Sequence, residues 1–131
     1  RTSDIMRKML RLIVTEGTGR KADVSGFRIG GKTGTAEKPG VGGYSKTINV
    51  STFAAVFPMD KPRYVVIAML DSPKGSAASS GQTTAAYTAA PVVAKVIART
   101  GPMLGIYPDN SVDVELSDMM PLLWKPKGGH E

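Results

Sequence analysis

Two apolar runs flanking a proline-bracketed turn constrain this chain more than any other feature of its sequence. Residues 47–57 are rich in Ile, Val, Thr and Phe and read as one strand. Residues 64–70, Tyr-Val-Val-Ile-Ala-Met-Leu, read as a second. Pro58 and Pro62 stand on either side of Asp60. A connection this short joins antiparallel strands, because a parallel pair needs a crossover of a dozen residues or more. The second run is apolar in both parities, which predicts a strand that is central in its sheet or covered by helices. Upstream, residues 29–37 are rich in Gly, Thr and Lys and form a third candidate strand, with glycines where something approaches the backbone closely. Pro39-Gly40-Val41-Gly42-Gly43 then reads as a long flexible turn. The expected architecture is α+β, a three-stranded antiparallel meander flanked by helices.

Residues 4–16 place Ile5, Met6, Met9, Leu10, Ile13 and Val14 at helical spacing. This predicts a helix capped by Ser3 and ended by Gly17, with Met6 and Met9 as core filler. Residues 72–81 read as a small-residue loop and residues 83–99 as an Ala-rich helix that Pro91 kinks or starts late. Beyond Gly101, four prolines at 102, 108, 121 and 126 break the pattern. The expected division is therefore 1–100 as the structured portion and 101–131 as a Pro-rich irregular tail.

Composition narrows the chemistry. At 131 residues and 41% hydrophobic, the chain fits one globular domain, and no apolar run approaches the ~18 residues of a membrane span. With no Cys and a single His at position 130, disulfide scaffolds, Cys-ligated zinc and a Ser-His-Asp triad in the core are excluded. No metal and no organic cofactor is expected. The net charge of +6 favours anionic partners. The cations are scattered, densest at Arg7-Lys8, Arg20-Lys21 and Lys125–Lys127, and do not alternate with aromatics. Nucleic acid is therefore not the expected partner, and Arg20 is expected to sit in a surface salt bridge.

The strongest local signal, Gly30-Gly31-Lys32-Thr33-Gly34-Thr35, supports two incompatible readings. Residues 26–33 fit the phosphate-loop pattern G-x-x-x-x-G-K-[ST], and residues 65–71 offer an apolar run ending in Asp. That reading requires Lys32-Thr33 to open a helix, yet Gly34, Pro39 and Gly40 follow at once. The other reading is the Lys-Thr-Gly element of serine acyl-transfer sites. There Lys32 supplies fixed positive charge beside the proton-relay groups. Thr33 and Thr35 place hydroxyls on one face of a strand, where they can bind a carboxylate. Gly34 lets an extended substrate lie against the strand edge.

The second reading extends beyond one hexapeptide. Gly17-Thr18-Gly19-Arg20, the stretch through Gly30-Gly31-Lys32-Thr33-Gly34-Thr35-Ala36, Phe53-Ala54-Ala55-Val56-Phe57-Pro58 with the strand after it, and Ala89-Ala90-Pro91 together resemble the class B penicillin-binding proteins, above all their division-specific peptidoglycan transpeptidases. The resemblance covers residues 1 to about 100 and implies the penicillin-binding protein/serine β-lactamase-like fold, whose sheet has five antiparallel strands. It further implies that Lys32 contacts the serine of an S-x-N motif and that Thr35 supplies an oxyanion-hole N–H. Peptidoglycan stem peptides and β-lactams become the expected ligands, and cell-division proteins the expected partners. The implied location is the periplasmic side of the bacterial inner membrane.

Two of the family's three catalytic motifs do not occur in this sequence. No Ser is followed three residues later by Lys, and neither Asn49 nor Asn110 has Ser two residues before it. In the family both motifs lie upstream of the Lys-Thr-Gly strand. The chain therefore reads as the C-terminal part of a transpeptidase domain, with the nucleophilic Ser and the membrane anchor outside it. The competing reading is a non-catalytic binding or scaffold fragment that merely retains the strand.

Overall fold

The two proline-bracketed runs do pair. In the computed structural model, which describes residues 1–124, the elements follow the order α1 (Thr2–Glu16), β1 (Gly30–Gly40), β2 (Gly43–Phe57), β3 (Tyr64–Asp71) and α2 (Ala89–Thr100). The three strands form one antiparallel sheet in the order β1-β2-β3. The turn between β2 and β3 begins at a cis Phe57–Pro58 bond, and Phe57 pairs with Tyr64 across it, their rings 5.9 Å apart.

One face of the sheet makes the core. Phe53, Ala55 and Phe57 of β2 are fully buried on the side where Val66, Ala68 and Leu70 of β3 also point. Ala89, Ala90, Val93 and Ile97 of α2 complete this core, with Phe27, Ile29, Val14 and Ala22. Burying each Phe contributes roughly 1.5–3 kcal/mol. The residues 83–99 expected as helix split in the structure. Those before Ala89 form turns, and α2 starts late, with Pro91 in its first turn, where its missing N–H costs nothing.

Several expectations need correction. Ser3 lies inside α1 and makes no cap; the cap position is Arg1. Met6 and Met9 are exposed and are not core filler. The buried residues of α1 are Arg11 and Val14 instead; Val14 joins the core, and Arg11 binds Asp23, Asp113 and the Ile29 carbonyl. β1 does not end at Glu37. It continues through a pairing irregularity between Glu37 and Pro39 to Gly40, and β2 starts at Gly43. The expected long turn is thus a tight hairpin, with Gly42 and Gly43 at φ of +87° and +133°. β3 is neither central nor covered on both faces. It is the last strand of the described sheet, and Val65, Ile67 and Met69 are 65%, 64% and 69% exposed.

Past Gly101 the described residues contain only single-turn 3-10 helices, Pro102–Leu104 and Met120–Leu122. The segment is irregular but firmly attached. Ile106 joins the core, and Met119 is buried. The Asp109 N–H donates to Gly26 O at 2.9 Å. Lys8 pairs with Asp118 at 2.7 Å, and Arg11 with Asp113 at 2.7 Å. Trp124 is exposed. Lys125, Lys127, His130 and Glu131 lie outside the described residues.

Candidate active-site strand

The Lys-Thr-Gly-Thr residues lie in the middle of β1, paired on one side only. Thr33 opposes Phe53, Gly34 opposes Thr52 and Thr35 opposes Ser51 of β2. Among the described residues no strand occupies the other edge of β1, so its backbone can accept an extended chain. A Lys-Thr pair within a strand of an antiparallel sheet cannot cradle phosphates at a helix N-terminus, and the phosphate-loop reading is excluded.

Glycines seat this strand for two different reasons. A Cβ on Gly31 would lie 2.5 Å from the Ala54 carbonyl oxygen and 2.6 Å from the Phe53 ring, so only glycine lets β1 enter at that distance. Gly34 is under no such pressure. A Cβ there would meet nothing nearer than Thr52 at 3.9 Å, and its φ is not positive.

The side chains alternate as a strand requires. Thr33 and Thr35 lie on the face of their buried partners Phe53 and Ser51, and Lys32 and Gly34 lie on the opposite face. The Lys32 Nζ donates to Thr33 O at 2.9 Å and to Thr33 Oγ1 at 3.1 Å, which brings the ammonium back against its own strand. Thr33 Oγ1 also lies 3.4 Å from Thr18 Oγ1. Thr35 Oγ1 accepts the Ala85 N–H at 3.1 Å. Its own O–H remains a donor, so the hydroxyl can both hold the segment before α2 and face an anion. The structure thus brings together all four predicted residues. It adds Thr18 and the 83–87 segment, for which the sequence carried no signal beyond the Gly-Thr-Gly spacing.

A buried arginine fixes the entry to β1. Arg11 donates from Nη1 to Ile29 O at 2.9 Å and to Asp23 Oδ1 at 3.0 Å, and from Nη2 to Asp113 Oδ2 at 2.7 Å. Burial works against its charge, but the bonds it donates to Asp113 and Asp23 outweigh that and hold its pKa above the usual arginine value. Arg28, at φ +50°, is held by Asp60 at 2.6 Å and by Gly26 O at 2.7 Å. The salt bridge expected for Arg20 does not form; Arg20 is exposed and makes no ion pair among the described residues. The nearest acids along the chain are engaged elsewhere, as with Asp23 to Arg11, or, like Glu16, unpaired.

Residues 1–98 match the family described as the penicillin binding protein transpeptidase domain. Among curated relatives, the probable peptidoglycan D,D-transpeptidase FtsI of Caulobacter vibrioides is 46% identical over 114 residues, covering 80% of this chain and 19% of the relative. Stage V sporulation protein D of Bacillus subtilis is 40% identical over 107 residues, covering 82% and 16%. Solved structures share the fold, and two illustrate it. The transpeptidase domain of Burkholderia pseudomallei penicillin-binding protein 3 superimposes with a TM-score of 0.68 at 32% identity, covering 81% of this chain and 31% of that one. Penicillin-binding protein 3 of Mycobacterium tuberculosis, complexed with ampicillin, gives 0.67 at 30% identity, covering 86% and 26%. The chain spans less than a fifth of the length of these curated relatives.

Proposed function

This chain belongs to the penicillin-binding protein transpeptidase family, and on that premise we propose that it forms one wall of a peptidoglycan D,D-transpeptidase site. A Ser outside these residues attacks the penultimate carbonyl of a D-Ala-D-Ala stem peptide. The C–N bond breaks, D-Ala leaves, and the acyl group passes to an amine on a neighbouring stem peptide. β-Lactams acylate the same Ser. Lys32 places its ammonium beside the proton-relay serine, the Thr35 N–H stabilises the oxyanion, and the Thr33 and Thr35 hydroxyls receive the substrate carboxylate. Gly34 leaves room for the substrate backbone along the β1 edge.

The observation that supports this reading best is the free edge of β1 itself. It carries an ammonium, a hydroxyl that can still donate, and a glycine the fold does not demand. In this reading the rest of the domain supplies the nucleophile and further strands, cell-division proteins are partners, and the site lies outside the cytoplasm, on the periplasmic side of the inner membrane.

Intact-mass analysis of the complete protein after incubation with a penicillin tests the proposal. A single adduct is expected, mapping to a peptide outside residues 1–131 and forming on the order of 10²-fold more slowly in Lys32→Gln. An adduct within residues 1–131, or an unchanged rate in Lys32→Gln, overturns these roles.

A further inference from the structure

The loop between α1 and β1 carries two cations that the transpeptidase wall does not use. Gly17 ends α1, and Gly19 presses its backbone onto the core; a Cβ there would lie 3.1 Å from Val14 Cγ2 and 3.2 Å from the Phe53 ring. Arg20–Ala22 then make a single 3-10 turn anchored by fully buried Ala22. Arg20 and Lys21 project from this fixed base into a cleft of about 330 Å³, whose other walls are Gly17, Thr18, Ala86 and Tyr87. The Lys21 Nζ stands 5.3 Å from the centre of the Tyr87 ring.

Many of the acids of the fold are engaged away from this cleft. Asp4, Asp23, Asp60, Asp71, Asp113 and Asp118 are each paired with Arg7, Arg11, Arg28, Lys38 or Lys8, on the α1, tail and β3 sides of the molecule. Asp109 and Glu115 accept hydrogen bonds from Ser111 and Ser117. Among the described residues no ion pair reaches Arg20, Lys21 or Lys32. Arg20, Lys21 and Lys32 thus carry positive charge that no ion pair among the described residues neutralises; the exposed acids nearest in the chain outside those pairs are Glu16 at the end of α1 and Glu37 on β1, and two cations converging on one cleft still favour an anion there.

The cleft is continuous with the Lys32–Thr35 strand, because Thr18 lines it and touches Thr33 across 3.4 Å. A peptide lying along the β1 edge directs alternate side groups to the face of Thr33 and Thr35. A guanidinium offers paired donors to a planar carboxylate, and the Tyr87 ring gives an apolar wall to the aliphatic stem that carries it. We infer that the Arg20–Lys21–Tyr87 cleft is a subsite for a side-chain carboxylate of the peptide substrate, next to but separate from the carboxylate contact of Thr33 and Thr35. The inference rests on the transpeptidase reading.

The complete protein is titrated with a D-Ala-D-Ala-terminated peptide bearing one internal free carboxylate, and with its internal carboxamide counterpart, by fluorescence anisotropy. Penicillin adduct formation is followed in parallel. The acid peptide is expected to bind at least tenfold tighter than the amide. Arg20→Gln/Lys21→Gln should abolish that preference with adduct formation unchanged, and Lys46→Gln, an equal charge change per residue outside the cleft, should preserve it. Equal binding of acid and amide, or a preference that survives in Arg20→Gln/Lys21→Gln, overturns the inference while the adduct still upholds the transpeptidase reading. Loss of the preference in Lys46→Gln as well overturns it too, since a diffuse field then suffices. Absence of the adduct in the unaltered protein refutes the transpeptidase reading, whereas the acid-over-amide preference reports on the cleft independently.

Discussion

Gly31 and Gly34 stand three residues apart in the same strand and serve different ends. At Gly31 an added methyl group meets a carbonyl oxygen at 2.5 Å, and backbone must move to admit it. Gly31→Ala is expected to destabilise the fold by about 1–3 kcal/mol, as overpacking does. At Gly34 the methyl group meets only ordinary contact at 3.9 Å. Relief of glycine's conformational entropy makes Gly34→Ala neutral or stabilising by up to about 1 kcal/mol. If the β1 edge receives substrate, the same change should nevertheless slow penicillin acylation of the complete protein. Acylation should therefore slow at Gly34 without any fall in the denaturation midpoint. Parallel losses in both would show that Gly34 is there for packing.

Among the elements, α1 gains its importance from one polar residue. Arg11 gathers the entry of β1, the 23 position and the 113 position, and its side chain is 8% exposed. Arg11→Met leaves the Ile29 carbonyl and two aspartates without their donor and should cost about 2–4 kcal/mol in urea denaturation. A loss below about 1 kcal/mol would mean that water replaces the guanidinium freely. The same attachments make the tail acid-sensitive. Burial pushes the Asp113 carboxyl up, but the Arg11 hydrogen bonds and the Val114 N–H outweigh it and hold it below its usual value. The hydrogen bond from Lys8 lowers Asp118. Groups depressed in the folded state contribute stability above the unfolded aspartate value, about pH 4, and lose it as pH falls through their lower folded values. Backbone resonances of residues 109–119 should accordingly shift together below about pH 4 while those of α2 stay in place. A tail that holds its shifts through that range would contradict the ion-pair account of its attachment.

For the whole molecule, the feature with the largest consequence is the outer side of β3. Its far edge has no partner strand among the described residues, and Val65, Ile67 and Met69 present apolar surface beside it. Such an edge pairs with whatever strand is available. The relatives extend far beyond the stretch this chain matches, and in the complete protein we expect this edge to be covered by the rest of the domain. The 131 residues expressed alone should self-associate, with a mass in light scattering that rises with concentration, and Ile67→Lys should reduce that association. A concentration-independent monomer would show that the β3 edge is protected within the chain.

The sequence by itself determined the antiparallel pairing of residues 47–57 with 64–70, because a turn of six residues between two β-rich runs permits nothing else. It also marked residues 29–37 as a candidate strand, since Gly34, Pro39 and Gly40 disfavour the helix that a phosphate loop would open there. These are local constraints of φ/ψ freedom and chain length, and they act wherever the segment sits. What the tertiary structure decided depends on partners distant in sequence. Met6 and Met9 have the spacing of a core stripe, yet the core lies on the side where Arg11 meets Asp113, and periodicity does not record which face a neighbour will take. Likewise β3 carries an unbroken apolar run from Val65 to Leu70 but is covered on one face only. The contact of Thr35 with Ala85, fifty residues away, and the closure of the Arg20–Lys21 cleft by Tyr87 have no local signature at all. They arise because the segment before α2 must return over the sheet to bury Ala89, Ala90 and Val93, and in returning it passes the site.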